Sequence, residues 1–303
     1  MSIHHHHHAE PSNHLDRAFG FGITLNLLFV AIEASYGWKI NSLALLADAG
    51  HNLSDVAGLV LAWVATMVGR RRANARNTYG WQRASVLAAF ANALLLLIAM
   101  GALAWEALRR LPAAAATDGQ TIMWVAGIGI VVNAATALLF MRNQAHDLNV
   151  RGAFLHMAAD AAVSAGVVIA GWLYLLYGWG WLDPVVSLLI AVVIVVGTWG
   201  LFRQSLHLLF DGVPDHIDPQ AVHDWLSKQA GVSEVHDLHI WALSTTETAL
   251  TAHLVMPGGH PGDVFLEEMT QELLHHFRIS HPTLQIETSP MSHVCVQALG
   301  SPS

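Results

Sequence analysis

The chain has 303 residues, 54% hydrophobic and only 12% charged, with a mean hydropathy of +0.44 and a formal net charge of −8. A soluble domain carries roughly 25% charged residues, so the composition points to a membrane protein. No basic cluster suggests a nucleic-acid partner, and the single cysteine, Cys295, rules out a disulfide within the chain.

Residues 1–17 open with MSIHHHHH, a His-rich tail that is either native or an added tag, and no structure is assigned to them. No cleavable signal peptide is expected, because the first apolar run lacks a small-residue cleavage pattern and continues as a full span. Six apolar stretches are long enough to cross a bilayer, which takes ~20 residues. They are 18–38, 42–68, 84–108, 120–141, 151–177 and 183–205, so residues 18–208 predict a six-helix transmembrane domain. With the N-terminus inside, the cytoplasmic segments hold Arg17, Arg70, Arg71, Arg72, Arg76, Arg83, Arg142, Arg151 and Arg203. The outer loops hold only Lys39, Arg109 and Arg110, and the positive-inside rule then places both termini in the cytoplasm.

The first span carries Asn26 and Glu33 and ends at Trp38, an interfacial anchor; Glu33 suits an interhelical hydrogen bond or a proton path. The second, within SLALLADAGHNLSDVAGLVLAWVATM, carries Asp48, His51 and Asp55 with no basic residue nearby. At roughly 100° per residue, His51 and Asp55 lie about 40° apart and Asp48 about 20° from Asp55, so all three project from one helix face. The third and fourth spans hold Asn92, Asn133 and many small residues suited to close helix packing. The loop before the fifth span contains His146, read as solvated. The fifth repeats the pattern of the second as His156-x-x-x-Asp160, and the sixth opens with Asp183-Pro184, read as an N-cap followed by Pro at the first helical position.

Polar residues return after Asp211, and residues 209–290 predict a soluble domain followed by a frayed tail, 291–303. DPQAVHDWLSKQ reads as an amphipathic helix capped by Asp218, with Pro219 following. VSEVHDLHIWALS and TETALTAHLVMP alternate as two strands joined at 244–246, GDVFLEEMTQELLHHF is a second helix, and PTLQIETS a third strand. The order is αββαβ, an α+β domain.

Two His-x-x-x-Asp pairs on buried helices can bring two imidazoles and two carboxylates to one centre: His51, Asp55, His156 and Asp160. That set suits tetrahedral zinc. Four unrelated polar contacts are the plainer alternative, but buried carboxylates cost several kcal/mol each and no Lys or Arg lies in the centre of any span. A bound dication, or protons in its absence, removes that cost. Asp48 would orient an imidazole by accepting its ring N–H, or lie on the proton and ion route.

SLALLADAGHNLSD followed by LNVRGAFLHMAAD, each in an apolar span, resembles the cation diffusion facilitators, proton-coupled exporters of divalent transition metals. The resemblance runs from about Phe19 to Pro290. It implies a bacterial zinc, cobalt or cadmium exporter of the inner membrane, a Zn²⁺/H⁺ antiporter rather than an enzyme. It also implies a dimeric, regulatory, ferredoxin-like cytoplasmic domain. Some relatives place a second metal site in the loop after the second span; here the matching positions are Asn74, Asn77 and Trp81, and no site is expected there. In the cytoplasmic domain His236, His253 and Glu287 occupy positions at which relatives bind zinc. The other candidates there, His239, His275, His276, His281, His293 and Cys295, are weaker. An intramembrane metalloprotease would need His-Glu-x-x-His, which the chain lacks. A membrane metal sensor without transport stays open at this level.

Overall fold

The computed structural model describes residues 13–69, 71–113, 117–141 and 148–289. Among them, six long helices precede a small three-stranded sheet. The helices are α1 (Asn13–Lys39), α2 (Leu43–Gly69), α3 (Ala84–Arg110), α4 (Gly119–Met141), α5 (Leu148–Tyr177) and α6 (Leu182–Leu209), each within a few residues of the expected span. The described parts of three, Ala84–Arg110, Ala159–Tyr177 and Leu182–Leu209, are long and apolar enough to cross a membrane by length and composition.

The chain divides into two compact units, 1–59 with 94–199, and 60–93 with 200–303. In the first, Leu45, Met100, Ala126, Val167 and Ile190 from five helices form the core. The outward faces stay apolar, with Leu95, Trp124, Val131, Leu189 and Val196 all exposed, the pattern of helices solvated by lipid. Small residues permit the closest helix approach. A Cβ on Gly171 would fall 3.1 Å from the carbonyl oxygen of Gly119, so α4 and α5 meet there backbone to backbone. Asp118 caps α4, accepting from the amides of Gln120 and Thr121 and the Thr121 hydroxyl. The Thr121 bonds hold its carboxyl below the usual carboxylate range.

Asp183 departs from its expected role. It lies inside the first turn of α6, and its carboxylate caps a different helix. Ser42 Oγ donates to Oδ1 at 2.5 Å, and the amides of Leu43 and Ala44 donate at 2.8 and 3.3 Å. The first amides of α2 have no partner within their own helix, and a carboxylate complements them and the helix dipole together.

In the second unit α7 (Pro219–Ser227) is capped by Asp218, whose side chain accepts from the Gln220 amide, with Pro219 in the first turn as expected. β1 (Glu234–Ala242) pairs antiparallel with β2 (Thr248–Val255), which pairs parallel with β3 (His281–Glu287) after the crossover helix α8 (Asp263–Phe277). One sheet face carries Val235, Ile240, Leu250, Leu254 and Ile286, packed with Val222, Leu226 and Leu273 of the two helices. The ladder slips between His236 and His239, where two residues, Asp237 and Leu238, oppose Ala252. The β1–β2 turn meets the 71–83 loop and the start of α3 in this unit. Gln82 Nε2 donates to Glu247 Oε2 at 2.7 Å, the Thr245 amide donates to Ser85 Oγ at 3.1 Å, and Arg83 pairs with Asp211.

Candidate metal centres

Helix α2 delivers His51 and Asp55 from one face, one turn apart, and α5 brings Asp160 to meet them. His51 Nε2 lies 3.7 Å from Asp55 Oδ2 and 3.3 Å from Asp160 Oδ1. One ligand atom from each residue falls within 4.8 Å of the other two, as a shared cation requires. Asp160 is nearly inaccessible, at 3% side-chain exposure, whereas His51 and Asp55 keep 19% and 27%. The centre is therefore set in the helix bundle with partial access. His156 stands one turn before Asp160 on α5, and its side chain lies outside those described.

Asp48, one turn before His51, is fully buried and accepts from Ser164 Oγ at 2.9 Å. Ser164 stands one turn after Asp160, so this bond ties α2 to α5 beside the cluster. Glu33 of α1 is fully buried too, its carboxyl facing Asp48 and Asn52. The sequence reading passed over Ser164 and Asn52. Their only signal was position: Ser164 four residues after Asp160, and Asn52 adjacent to His51.

The second cluster is built on the sheet. His236 of β1 and His253 of β2 are directly paired, with ring centroids 5.2 Å apart. Glu287 at the end of β3 reaches both: Oε2 lies 3.4 Å from His236 Nε2, and Oε1 lies 3.0 Å from His253 Nδ1. Gln285 Nε2 donates to Oε1 at 2.8 Å, while Oε2 is buried without a hydrogen-bond donor. A carboxylate with an orphaned oxygen, facing two imidazole nitrogens, fits a cation such as zinc. His239 sits near this cluster, 3.1 Å from Asp237, whereas His275 and His276 pack edge-to-face with each other on α8. His281 packs edge-on against Tyr79. His293 and Cys295 lie outside the described residues, as does His146.

The family model for the cation efflux transmembrane domain matches residues 21–210, and that for the cation efflux protein cytoplasmic domain matches 214–289. The chain belongs to the cation efflux family. A cation efflux protein of this kind is a multi-pass membrane transporter, not an enzyme, and its helical transmembrane domain is followed by a cytoplasmic α+β domain. It is similar to the cadmium, cobalt and zinc/H(+)-K(+) antiporter of Bacillus subtilis (strain 168), 34% identical over 272 residues that cover 88% of this chain and 86% of the relative. It is also similar to the zinc transporter ZitB of Yersinia pestis, 36% identical over 282 residues covering 92% and 89%. A solved structure of the metal-bound C-terminal domain of the CzcD transporter shares 38% identity, covering 23% of this chain and 99% of that one, with a TM-score of 0.21.

Proposed function

We propose that this protein exports zinc from the cytoplasm in exchange for protons, with cobalt and cadmium as further substrates. Its transport site is His51, Asp55, His156 and Asp160. The observation that carries this reading is the convergence of His51, Asp55 and Asp160 from two helices within ligand distance of one another. The names of the two relatives support both the metals and the proton exchange.

The ligand chemistry explains the coupling. Zinc takes neutral imidazoles and ionised carboxylates, so loading the site displaces protons. Histidine exchanges its proton near cellular pH. A site that releases zinc outside therefore returns with protons on the same groups. Asp48 and Ser164 steady α2 against α5 beside the ligands, and Asp48 also lies on the route for protons.

The cytoplasmic domain regulates transport. It binds zinc through His236, His253 and Glu287 and dimerises through the sheet face opposite α7 and α8. Bound zinc supplies a cross-link among three strands, added to their backbone hydrogen bonds and to the contacts of Glu287 with the two imidazoles. The protein lies in lipid in the inner membrane with both termini cytoplasmic, and has no nucleic-acid partner.

Proteoliposomes carrying a pH-sensitive dye test the transport reading. Zinc added outside should move protons with the wild type, while Asp55→Ala and Asp160→Ala should each reduce the signal to the protein-free level. Wild-type flux from either variant removes that carboxylate from the site.

A further inference from the structure

The ladder slip in β1 places Asp237 beside the cytoplasmic cluster. Its φ of 52° lies in the left-handed region, which among residues with a Cβ suits Asn and Asp best. Bulges of this kind re-aim side chains next to functional sites. Here the extra residue allows His236 and His239, three positions apart, to pair with His253 and Thr251 two positions apart. The Asp237 carboxylate then lies between two imidazoles, Oδ1 3.1 Å from His239 Nε2 and Oδ2 3.6 Å from His253 Nε2.

His253 is thereby flanked by carboxylates on both ring nitrogens, Glu287 at Nδ1 and Asp237 at Nε2. A neutral imidazole carries one N–H and one lone pair. With the proton on Nε2, it points to Asp237 and the Nδ1 lone pair faces Glu287 and His236. With the proton on Nδ1, the N–H stands 3.0 Å from Glu287 Oε1 without the alignment of a hydrogen bond, and the ring offers the cluster nothing that can bind a cation. Glu287 alone would favour this second tautomer, because its oxygen is only 3.0 Å away. Asp237 supplies the competing acceptor. At 3.6 Å the contact is longer than a finished hydrogen bond, and a shift of about half an ångström closes it. His236 has weaker backing, since Glu234 lies 3.8 Å from its Nδ1 and is 55% exposed.

We infer that Asp237 is a positioning residue for the cytoplasmic metal site, holding His253 as the tautomer that presents Nδ1 to the cation. The inference rests on the proposed zinc site at His236, His253 and Glu287. Backbone conformation alone does not explain the carboxylate, because Gly or Asn would satisfy the left-handed turn equally well.

Two readouts test it in the full-length protein in nanodiscs, with His4–His8 replaced by Ala and Asp55 and Asp160 by Asn to silence other zinc sites. In the zinc-free protein, ¹⁵N spectra of His253 should show the proton on Nε2. Asp237→Gly, which fits the φ and removes the carboxylate, should move it to Nδ1. Zinc affinity should fall about 10–100-fold in Asp237→Gly, the usual effect of removing such a partner, with an unchanged melting temperature. Asp237→Asn keeps an acceptor oxygen and should restore most of the affinity and the Nε2–H tautomer. A wild-type His253 protonated on Nδ1, or an unchanged affinity in Asp237→Gly, overturns the inference. Substituting His236 and His253 by Ala separates the two claims: if zinc binding survives both, the cytoplasmic site itself is wrong and the inference falls with it. If binding is lost in both but Asp237→Gly binds normally, only the role of Asp237 fails.

Discussion

Asp183 belongs to the first turn of α6 but accepts three hydrogen bonds from the start of α2. The Asp-Pro pair read as a cap for α6 itself, and the helix that Asp183 does cap was not legible, because sequence spacing reports only neighbours along one helix. The hydroxyl and two amides that bind this carboxylate would be left buried without acceptors in Asp183→Ala. The variant should lose about 1–3 kcal/mol, read as a lower melting temperature in detergent, with Asp183→Asn intermediate. Equal melting temperatures for all three proteins would contradict this account. His51 carries a different kind of information. As a nitrogen ligand in the proposed transport site it would favour zinc and cobalt, whereas magnesium, calcium and to a large extent manganese prefer oxygen. His51→Asp keeps the helix face and hardens the ligand set to one nitrogen and three carboxylates. It should raise manganese flux relative to zinc in vesicles and move the pH dependence of proton coupling lower. An unchanged selectivity order would show that the imidazole does not set metal choice.

At the scale of elements, the six spans and the αββαβ order followed from hydropathy and alternation, since burial in lipid or against one sheet face imposes those periods directly. The face shared by Asp48, His51 and Asp55 came from helix geometry alone. Bringing Asp160 to it required knowing which helices are neighbours, which periodicity does not encode. The bulge in β1 was missed although it left a trace: Val235, Leu238 and Ile240 all pack toward the core, and the first gap is three residues instead of two. The β1–β2 turn shows the same limit, for its contacts come from residues about 160 positions away. The Thr245 amide is bonded only to a side chain, Ser85 Oγ, so its protection should depend on that hydroxyl. Ser85→Ala should speed hydrogen exchange at Thr245 severalfold while leaving Leu250 and Leu254, within β2, unchanged. Exchange at Thr245 that ignores the substitution would mean the contact does not persist in solution.

At the scale of the whole molecule, orientation decides what each proposed metal centre would sense. The His236 cluster can report cytosolic zinc only if the chain downstream of α6 lies in the cytoplasm, and with six spans that fixes the N-terminus and the 71–83 loop on the same side. The charge distribution supports this arrangement. Nine Arg lie at the span ends and in the short loops assigned to the cytoplasm, against one Lys and two Arg outside, and Lys and Arg close to span ends are the charges that resist translocation. The reverse orientation would carry Arg70, Arg71 and Arg72 across the membrane together. Cysteine labelling in intact cells tests this in a Cys295→Ser background. Ala75 is exposed in the loop between α2 and α3, so Ala75→Cys should react with a membrane-impermeant maleimide only after the cells are opened. Ala114→Cys, between the third and fourth spans, should react in intact cells. The opposite pattern would invert the topology, place the His236 cluster outside, and require the zinc it binds to be the exported pool and not the cytosolic one.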